Sequence, residues 1–357
     1  MKYQERQLFK ALCDIRSQDL DEELLAYATP EVLGQLFYNR MAGIAYGTLK
    51  RHRLLGKVNR EFRNSLKGSF EQNVERNESY NLCLTHVSNI LSQSDCKFAM
   101  LKGAALCNCY PVGYRTSNDI DLLLLADDVT QVGEMLSRNG FKQGYIRNEV
   151  FVPASRIEIV QSKMMRGETV PYIKEMNLPW MKYLEVDLNF SLDYKNGDSS
   201  ALRSMLEMSQ KRTFRGVEIL TLNLPDFLIH LCGHLYKEAT TMAWVKMNRD
   251  MTLYKYCDIY LLFSEMDNLS TELFFARAAE LNMEKICAFS VLQTADLFDF
   301  DNYVAVERAK EILREDPEFV HTVISPEEKK EYVYKEKNVQ KRFFATNRMK
   351  YLEEKQL

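Results

Sequence analysis

The sequence predicts an α+β protein in which helical regions at both ends flank a small core of mixed strands and helices. Up to residue 95 no convincing strand occurs, alternating α and β texture begins at Cys96, and helical periodicity returns beyond Pro225. A chain of 357 residues also exceeds what a single core usually organises. We therefore predict a helical N-terminal domain (1–95), an α/β core (96–224) and a helical C-terminal domain with a charged tail (225–357).

The N-terminal region shows the spacing of helices that bury one face. Leu8, Leu12 and Ile15 recur at helical intervals, and the long polar stretch from Lys57 to Ser92 carries apolar residues at wide intervals. We interpret this stretch as one or two extended helices.

The core opens with a short apolar run at Phe98–Leu101, a turn at Lys102-Gly103 and one or two helical turns over Ala104–Cys109. A helix is predicted over Val129–Arg138, ending at Asn139-Gly140. Strands are predicted, in order, over 119–125, 141–145, 150–153, 156–161, 184–192 and 217–222.

Beyond the core the sequence predicts helices almost throughout. One begins at Pro225-Asp226, a long one covers Trp244–Ser264, and three shorter ones reach Arg314. Ser325-Pro326-Glu327-Glu328 reads as a capping box with proline at the first helical position, which predicts an exposed helix in the charged tail.

Composition excludes several classes of protein. The apolar fraction of 46%, the charged fraction of 27% and the net charge of −3 are ordinary for a globular protein and give no global sign of nucleic-acid binding. The eight cysteines lack a zinc-site spacing, which favours buried thiols in a reducing compartment. Neither an apolar signal core nor a membrane-spanning apolar run is present, so we expect a cytoplasmic protein without membrane insertion.

The chemistry is concentrated in Met100-Leu101-Lys102-Gly103 and in Asn118-Asp119-Ile120-Asp121. Residues i and i+2 of a strand share a face, so Asp119 and Asp121 converge beside the apolar run Leu122–Leu125. Two desolvated carboxylates repel each other and need a cation, for which a hard divalent metal is the simplest candidate.

A third carboxylate is expected on a later strand. Asp187 lies in an alternating segment with Glu185 and Asn189 on its own face, and Glu158 is the main rival for the place. Lys102 and the glycine turn at Gly103 would meet an anion such as a triphosphate. Two metals about 3.5–4 Å apart would stabilise both oxygens of an in-line displacement at phosphorus.

This arrangement resembles the polymerase β-type nucleotidyltransferase superfamily, which combines a glycine turn, an Asp-x-Asp strand and a third carboxylate. More narrowly, Leu101-Lys102-Gly103, Tyr110-Pro111, Arg115 and Asp119-Ile120-Asp121-Leu122-Leu123 are similar to the uncharacterised nucleotidyltransferase family in its Lys-Gly variant. The likeness is strong over about residues 96–125 and weaker up to Leu192. The family often has Glu and His where this chain has Asp187 and Asn189.

The resemblance implies a small mixed-sheet nucleotidyltransferase core and a site in which Asp119, Asp121 and Asp187 bind Mg²⁺ or Mn²⁺. Lys102, Gly103 and Arg115 would face the triphosphate of an NTP such as ATP. His230 and His234 have the i, i+4 spacing of a zinc pair without an evident third ligand, so they are interpreted as core residues or, for His234, as lining the nucleotide cleft.

The implied reaction is transfer of an NMP from an NTP to an acceptor hydroxyl or phosphate with release of pyrophosphate. The acceptor would be a natural product, a peptide or a surface-polymer precursor, with RNA also possible. Three alternatives stay open: a toxin-like tRNA nucleotidyltransferase, a phosphotransferase and a nucleotide-binding pseudoenzyme. The sequence does not identify the acceptor, the NTP or the oligomeric state.

Overall fold

The computed structural model describes residues 1–106, 109–192 and 199–355 and has the α+β class that the sequence predicts. The α-helices of these ranges are α1 (Tyr3–Cys13), α2 (Pro30–Tyr38), α3 (Ala42–Arg51), α4 (Arg60–Leu91), α5 (Gly103–Leu106), α6 (Val129–Arg138), α7 (Arg156–Arg166), α8 (Ser199–Glu207), α9 (Leu224–Thr240), α10 (Met242–Lys246), α11 (Leu253–Ser264), α12 (Asn268–Glu280), α13 (Glu284–Leu297), α14 (Tyr303–Ile312) and α15 (Val339–Phe343). The predicted turn after Lys102 is described only as far as Leu106, because Cys107 and Asn108 lie outside these ranges.

The strands fall into two sheets. The strands of the larger sheet are β1 (Phe98–Met100), β2 (Asp119–Leu124), β3 (Lys142–Arg147), β4 (Val150–Pro153), β5 (Tyr172–Leu178), β6 (Met181–Asn189), β7 (Gln210–Phe214) and β8 (Val217–Thr221). They pair in the order β4-β3-β5-β6-β2-β1-β8-β7. The smaller sheet contains β9 (Thr322–Ser325), β10 (Lys330–Tyr334) and β11 (Leu352–Glu354).

The chain folds into two compact units. The first comprises Met1–Phe70 and Leu228–Leu357, and the second comprises Glu71–Phe227 with the whole eight-stranded sheet. The smaller sheet belongs to the first unit, where Val323 and Tyr334 pack with Met242 and Val245. The division into 1–95, 96–224 and 225–357 remains a prediction about domains.

The central strands of the large sheet are mixed in direction. β2 runs antiparallel to β1 and parallel to β6, and β1 is parallel to β8. Thr221 stabilises the last pairing through its hydroxyl, which donates to the Met100 carbonyl oxygen at 2.7 Å. In β2 the side chains of Leu122, Leu123 and Leu124 are fully buried, which explains why the sequence reads as a core strand.

The predictions for residues 156–161 and for Trp244–Ser264 are wrong, and in both a different local signal prevails. Residues 156–161 form the first part of α7 rather than a strand. The Ser155 hydroxyl oxygen accepts a hydrogen bond from the Glu158 backbone N–H, and the Glu158 carboxylate accepts one from the Ser155 N–H. This capping box starts a helix in a segment where the alternation of Ile157-Glu158-Ile159 predicts a strand. The predicted long helix over Trp244–Ser264 is two helices, α10 and α11, separated at Asn248, whose φ of 56° is left-handed.

The charged tail begins with a β-hairpin rather than an exposed helix. The segment that reads as a capping box is the turn of a hairpin between β9 and β10, where Lys329 takes a left-handed φ of 54°. Lys330, Glu331 and Tyr332 then pair with Ser325, Ile324 and Val323. Cross-strand pairing in this hairpin extends beyond the four residues of the cap motif, so that motif does not reveal it. Across the described ranges, no helix has both the length and the hydropathy needed to cross a membrane.

Candidate functional site

Four carboxylates are brought to one face of two adjacent parallel strands. In the β2–β6 register Asp119 lies opposite Glu185, and Asp121 lies opposite Asp187. The intervening residues, Ile120 with Val186 and Leu122 with Leu188, alternate to the other face and are fully buried. The strand period of two therefore places every acidic residue of these segments on the same side of the sheet.

Lys102 follows β1 directly and contacts this face. The Leu101 N–H donates to the Asp121 carbonyl oxygen at 2.9 Å, and the Lys102 ammonium donates to Asp121 Oδ1 at 2.9 Å. Asp121 is buried at 5% exposure. Lys102 has a left-handed φ of 43°, a conformation that costs a non-glycine residue roughly 1–2 kcal/mol. The strain of the Lys-Gly turn is thus carried by the lysine, at the point where its side chain reaches the acidic face.

Gly103 begins α5 and has a packing reason to be glycine. A Cβ at this position would overlap the Ser117 side chain and lie 3.1 Å from the Tyr80 hydroxyl oxygen. Ser117 in turn donates through its hydroxyl to Asp119 Oδ1 at 2.9 Å. The glycine therefore leaves room for a serine that orients a site carboxylate. A phosphate contact of Gly103 remains a prediction, and α5 is only four residues long.

Burial and the crowding of like charges raise the pKa of two carboxyl groups on this face. Burial, the largest cause, raises the pKa of the Asp187 carboxyl well above its ordinary value. The charges of Asp121, Asp119 and Glu185 raise this pKa further, while the Lys102 ammonium lowers it. Burial and then Asp119 also raise the pKa of Glu185. The neighbouring carboxylates thus make the ionisation of Asp187 and Glu185 more costly, which is the electrostatic condition that a bound cation relieves.

The donor set fits a hard divalent metal in its chemistry. Carboxylate oxygens are the ligands that Mg²⁺ and Mn²⁺ prefer, and Asp119, Asp121 and Asp187 supply them. In the described part of the chain, no three His, Cys, Asp or Glu side chains are already placed around one metal position. Asp121 is bonded to Lys102 and Asp119 to Ser117. Each of these bonds involves one oxygen of its carboxylate, Oδ1 in both cases.

Helix α4 supplies residues that sequence reasoning missed. Tyr80, 1% exposed, donates its hydroxyl to the Asp119 carbonyl oxygen at 2.8 Å. Asn77 and Asn73 bind the backbone of Gly113 and Arg115, two residues of the loop before β2. The Arg115 guanidinium donates to the Thr116 carbonyl oxygen at 3.2 Å. The i, i+4, i+7 spacing of the three helix residues marks one face of α4, but no sequence signal indicates which loop that face meets.

The rival carboxylate and the histidines belong to helices α7 and α9. Glu158 caps α7 through Ser155 and is not on a strand beside β2. His234 lies on α9 in the first unit, with Nε2 at 3.2 Å from Glu238 Oε1, and Lys255 contacts the other oxygen of Glu238. His230 is buried at 4% exposure, as a core residue would be. A contact of His234 with nucleotide remains a prediction.

Comparison with known proteins identifies the family of the chain. Residues 29–299 match the family model described as "Uncharacterised nucleotidyltransferase". No curated protein matches the chain. One similar solved structure is the crystal structure of an antigenic nucleotidyltransferase-like protein from Paracoccidioides brasiliensis, which is 13% identical and has a TM-score of 0.35 over 66% of this chain and 88% of that chain. The family match covers well over half of the sequence, including both site strands, and the chain belongs to the uncharacterised nucleotidyltransferase family.

Proposed function

We propose that the protein transfers a nucleoside monophosphate from an NTP to an acceptor hydroxyl or phosphate, with Mg²⁺ or Mn²⁺, and releases pyrophosphate. The observation that carries the proposal is the register of β2 and β6, which puts Asp121 opposite Asp187 and Asp119 opposite Glu185 beside the Lys102 ammonium. Acidic side chains facing one another next to a lysine suit a metal-bound triphosphate. The proposal includes that the chain is a Lys-Gly variant of its family and that it belongs to the polymerase β-type superfamily.

Asp119, Asp121 and Asp187 would hold the metal, which when bound supplies a Lewis acid that lowers the acceptor's pKa and neutralises triphosphate charge. Lys102 adds a mobile cation for the phosphates, and its bond to Asp121 keeps it at the site before the nucleotide arrives. Ser117 holds one Asp119 oxygen and thereby orients the other. Arg115, carried by the loop before β2, would meet the phosphates as a planar donor.

The chemistry needs no protein nucleophile. The acceptor oxygen attacks the α-phosphorus, the bond to the bridging oxygen of the β-phosphate breaks, and pyrophosphate leaves with the bonding electrons. The acceptor proton passes to solvent or to a carboxylate of the site. What the protein contributes is position and charge, which the rigid strand pair provides better than loops would.

The acceptor is proposed by class alone: a natural product, a peptide or a surface-polymer precursor, with RNA as a further possibility. The test is incubation of the purified protein with each of the four NTPs, Mg²⁺ or Mn²⁺ and a cell extract, followed by mass spectrometry. A product heavier by one NMP, absent when Asp119 and Asp121 are both changed to asparagine, is the expected result.

The other outcomes assign the alternatives. A product heavier by one phosphate would indicate a phosphotransferase, and a nucleotide added to tRNA would indicate the toxin-like reaction. NTP binding without any product, across all extracts and both metals, would leave a nucleotide-binding pseudoenzyme and overturn the proposal.

A further inference from the structure

One face of helix α4 contacts the loop that leads into strand β2. Asn73, Asn77 and Tyr80 lie four and then three residues apart, so their side chains project from the same face. Asn73 bonds to the backbone of Gly113, and Asn77 bonds to the backbone of both Gly113 and Arg115. Tyr80 bonds to the backbone of Asp119. These contacts fix the path of the loop between Gly113 and Asp119 at several points rather than at one.

Asn77 makes the central contact. Its Oδ1 accepts from the Gly113 N–H at 2.9 Å, and its Nδ2 donates to the Arg115 carbonyl oxygen at 2.9 Å. Asn73 Nδ2 donates to the Gly113 carbonyl oxygen at 3.0 Å. One amide side chain therefore bridges two backbone groups on either side of Tyr114. Asn77 is 3% exposed, and Gly113 is buried with a left-handed φ of 86°.

We infer that Asn77 is a positioning residue for Arg115 in the binding of the NTP triphosphate, an inference that rests on the proposed function. Its buried amide has its donor and acceptor both committed to the loop, so a shift of the loop would leave polar groups buried without partners. The loop is thus held in one conformation before any ligand binds. A guanidinium whose backbone is fixed loses less conformational freedom when it binds an anion.

The structure offers a conservative change and a matched control. Asn77→Asp keeps an acceptor for the Gly113 N–H but replaces the donor to Arg115 with an oxygen. Asn39, in the first unit, has the same type of side-chain contacts: its Nδ2 donates to the Gln35 carbonyl oxygen and its Oδ1 accepts from the Leu253 N–H, each at 3.0 Å. Asn39 is 1% exposed, so Asn39→Asp makes the same chemical change in an equally buried place of the first unit.

The binding test is a double-mutant cycle on NTP affinity, measured by calorimetry with Mg²⁺ and a non-hydrolysable NTP. Asn77→Asp and Arg115→Ala should each raise the Kd about tenfold. The double variant should bind as weakly as Arg115→Ala alone, because Asn77 acts through Arg115. Asn39→Asp should leave the Kd unchanged, and combined with Arg115→Ala it should add nothing.

A second measurement does not depend on nucleotide. Hydrogen exchange of residues 111–119 in the ligand-free protein should become at least about tenfold faster in Asn77→Asp and stay unchanged in Asn39→Asp. Independent, multiplying effects of Asn77→Asp and Arg115→Ala on the Kd would overturn the inference, as would unchanged exchange in the loop. A wild-type protein that binds no NTP at all would remove the proposed function first and this inference with it, whereas binding without coupling would remove this inference alone.

Discussion

Two buried charged groups, one in each compact unit, differ in how their charges are balanced. In the first unit Asp250, 2% exposed, accepts from Arg348 Nε at 2.9 Å and from Nη2 at 2.6 Å, and Arg348 is itself 4% exposed. In the second unit Asp121 and Asp187 face each other across β2 and β6, with Asp119 and Glu185 one step away. The first group pairs opposite charges and the second collects like charges.

The difference separates a structural group from a functional one. A buried pair with two-point hydrogen bonds satisfies its own charge and needs no ligand, although removing one partner is costly. On the second face the Lys102 ammonium bonds to Asp121 but offsets only part of the charge of the four carboxylates. Burial, and then the charges of its neighbours, raise the pKa of Asp187. Exchanging Asp for Asn, a change of one atom, should therefore have opposite consequences in the two places.

The largest effect is expected at the strand pair. Asp119→Asn and Asp121→Asn should each lower NTP turnover by at least about 1,000-fold, a loss of about 4 kcal/mol of transition-state stabilisation. Thermal stability without metal should stay the same or rise, because repulsion between the carboxylates is relieved. Turnover with saturating NTP and Mg²⁺, alongside thermal melting, measures both effects. Asp127→Asn, the same change at an exposed position just beyond β2, is the control, and undiminished turnover in either site variant would contradict the prediction.

The balanced pair should respond in stability instead. Asp250→Asn leaves the Arg348 guanidinium buried without a counter-charge, which should lower the free energy of unfolding by about 3–5 kcal/mol. Urea unfolding of the variant against the wild type measures this loss. Glu331→Gln, which removes the surface partner of Lys355, should change the free energy by less than about 1 kcal/mol. Equal losses in the two variants would show that burial does not distinguish the pairs.

Asp187 should separate binding from chemistry within the acidic face. Asp187→Asn should keep NTP affinity within a few-fold, because Asp119, Asp121 and Lys102 remain, but lower the rate of transfer by about 100-fold, nearly 3 kcal/mol. The pKa of the Asp187 carboxyl is raised above its ordinary value of 3.8, so its ionisation opposes folding once the pH exceeds 3.8. Asp187→Asn should therefore be more stable than the wild type at neutral pH and lose this advantage in acid. Single-turnover kinetics and melting at several pH values test it, with Glu175→Gln on the neighbouring strand as control. A variant with full transfer activity would show that Asp187 is not the third carboxylate.

The smallest expected effect concerns the pH response of the first unit. Burial, with Arg342 and Lys337 nearby, lowers the pKa of His321 to about 4. The unfolded chain then binds a proton below about pH 6.5 that the folded chain does not, so stability falls as the pH drops from 6.5 towards 4. His321→Gln should reduce the loss of stability between pH 7 and pH 5 by about 1–2 kcal/mol. Urea unfolding at both pH values measures this loss of stability. An unchanged loss in His321→Gln would contradict the lowered pKa of His321 as its cause.

How far the sequence predicts this molecule depends on the range of the interaction that decides each feature. The α6 helix is predicted to the residue, because its periodicity and its Asn139-Gly140 end lie within the segment. The segment 156–161 is mispredicted because two local signals compete there and the capping box of Ser155 and Glu158 prevails. The hairpin of the tail and the strand β5 are missed because each depends on pairing with a neighbouring strand, which the pattern within one segment does not reveal.

For the site, the sequence by itself determined which residues share a face: Asp119 with Asp121, and Asp187 with Glu185 and Asn189, because a strand has a period of two wherever it lies in the fold. Only the tertiary structure decided that β2 and β6 are neighbours in a register that opposes Asp121 and Asp187. It also decided that Lys102 reaches Asp121, that Ser117 is why Gly103 lacks a side chain, and that Asn77 holds Arg115. Each of these contacts joins residues between about ten and seventy positions apart, and the free energy that selects them comes from burying and pairing groups that no local pattern brings together.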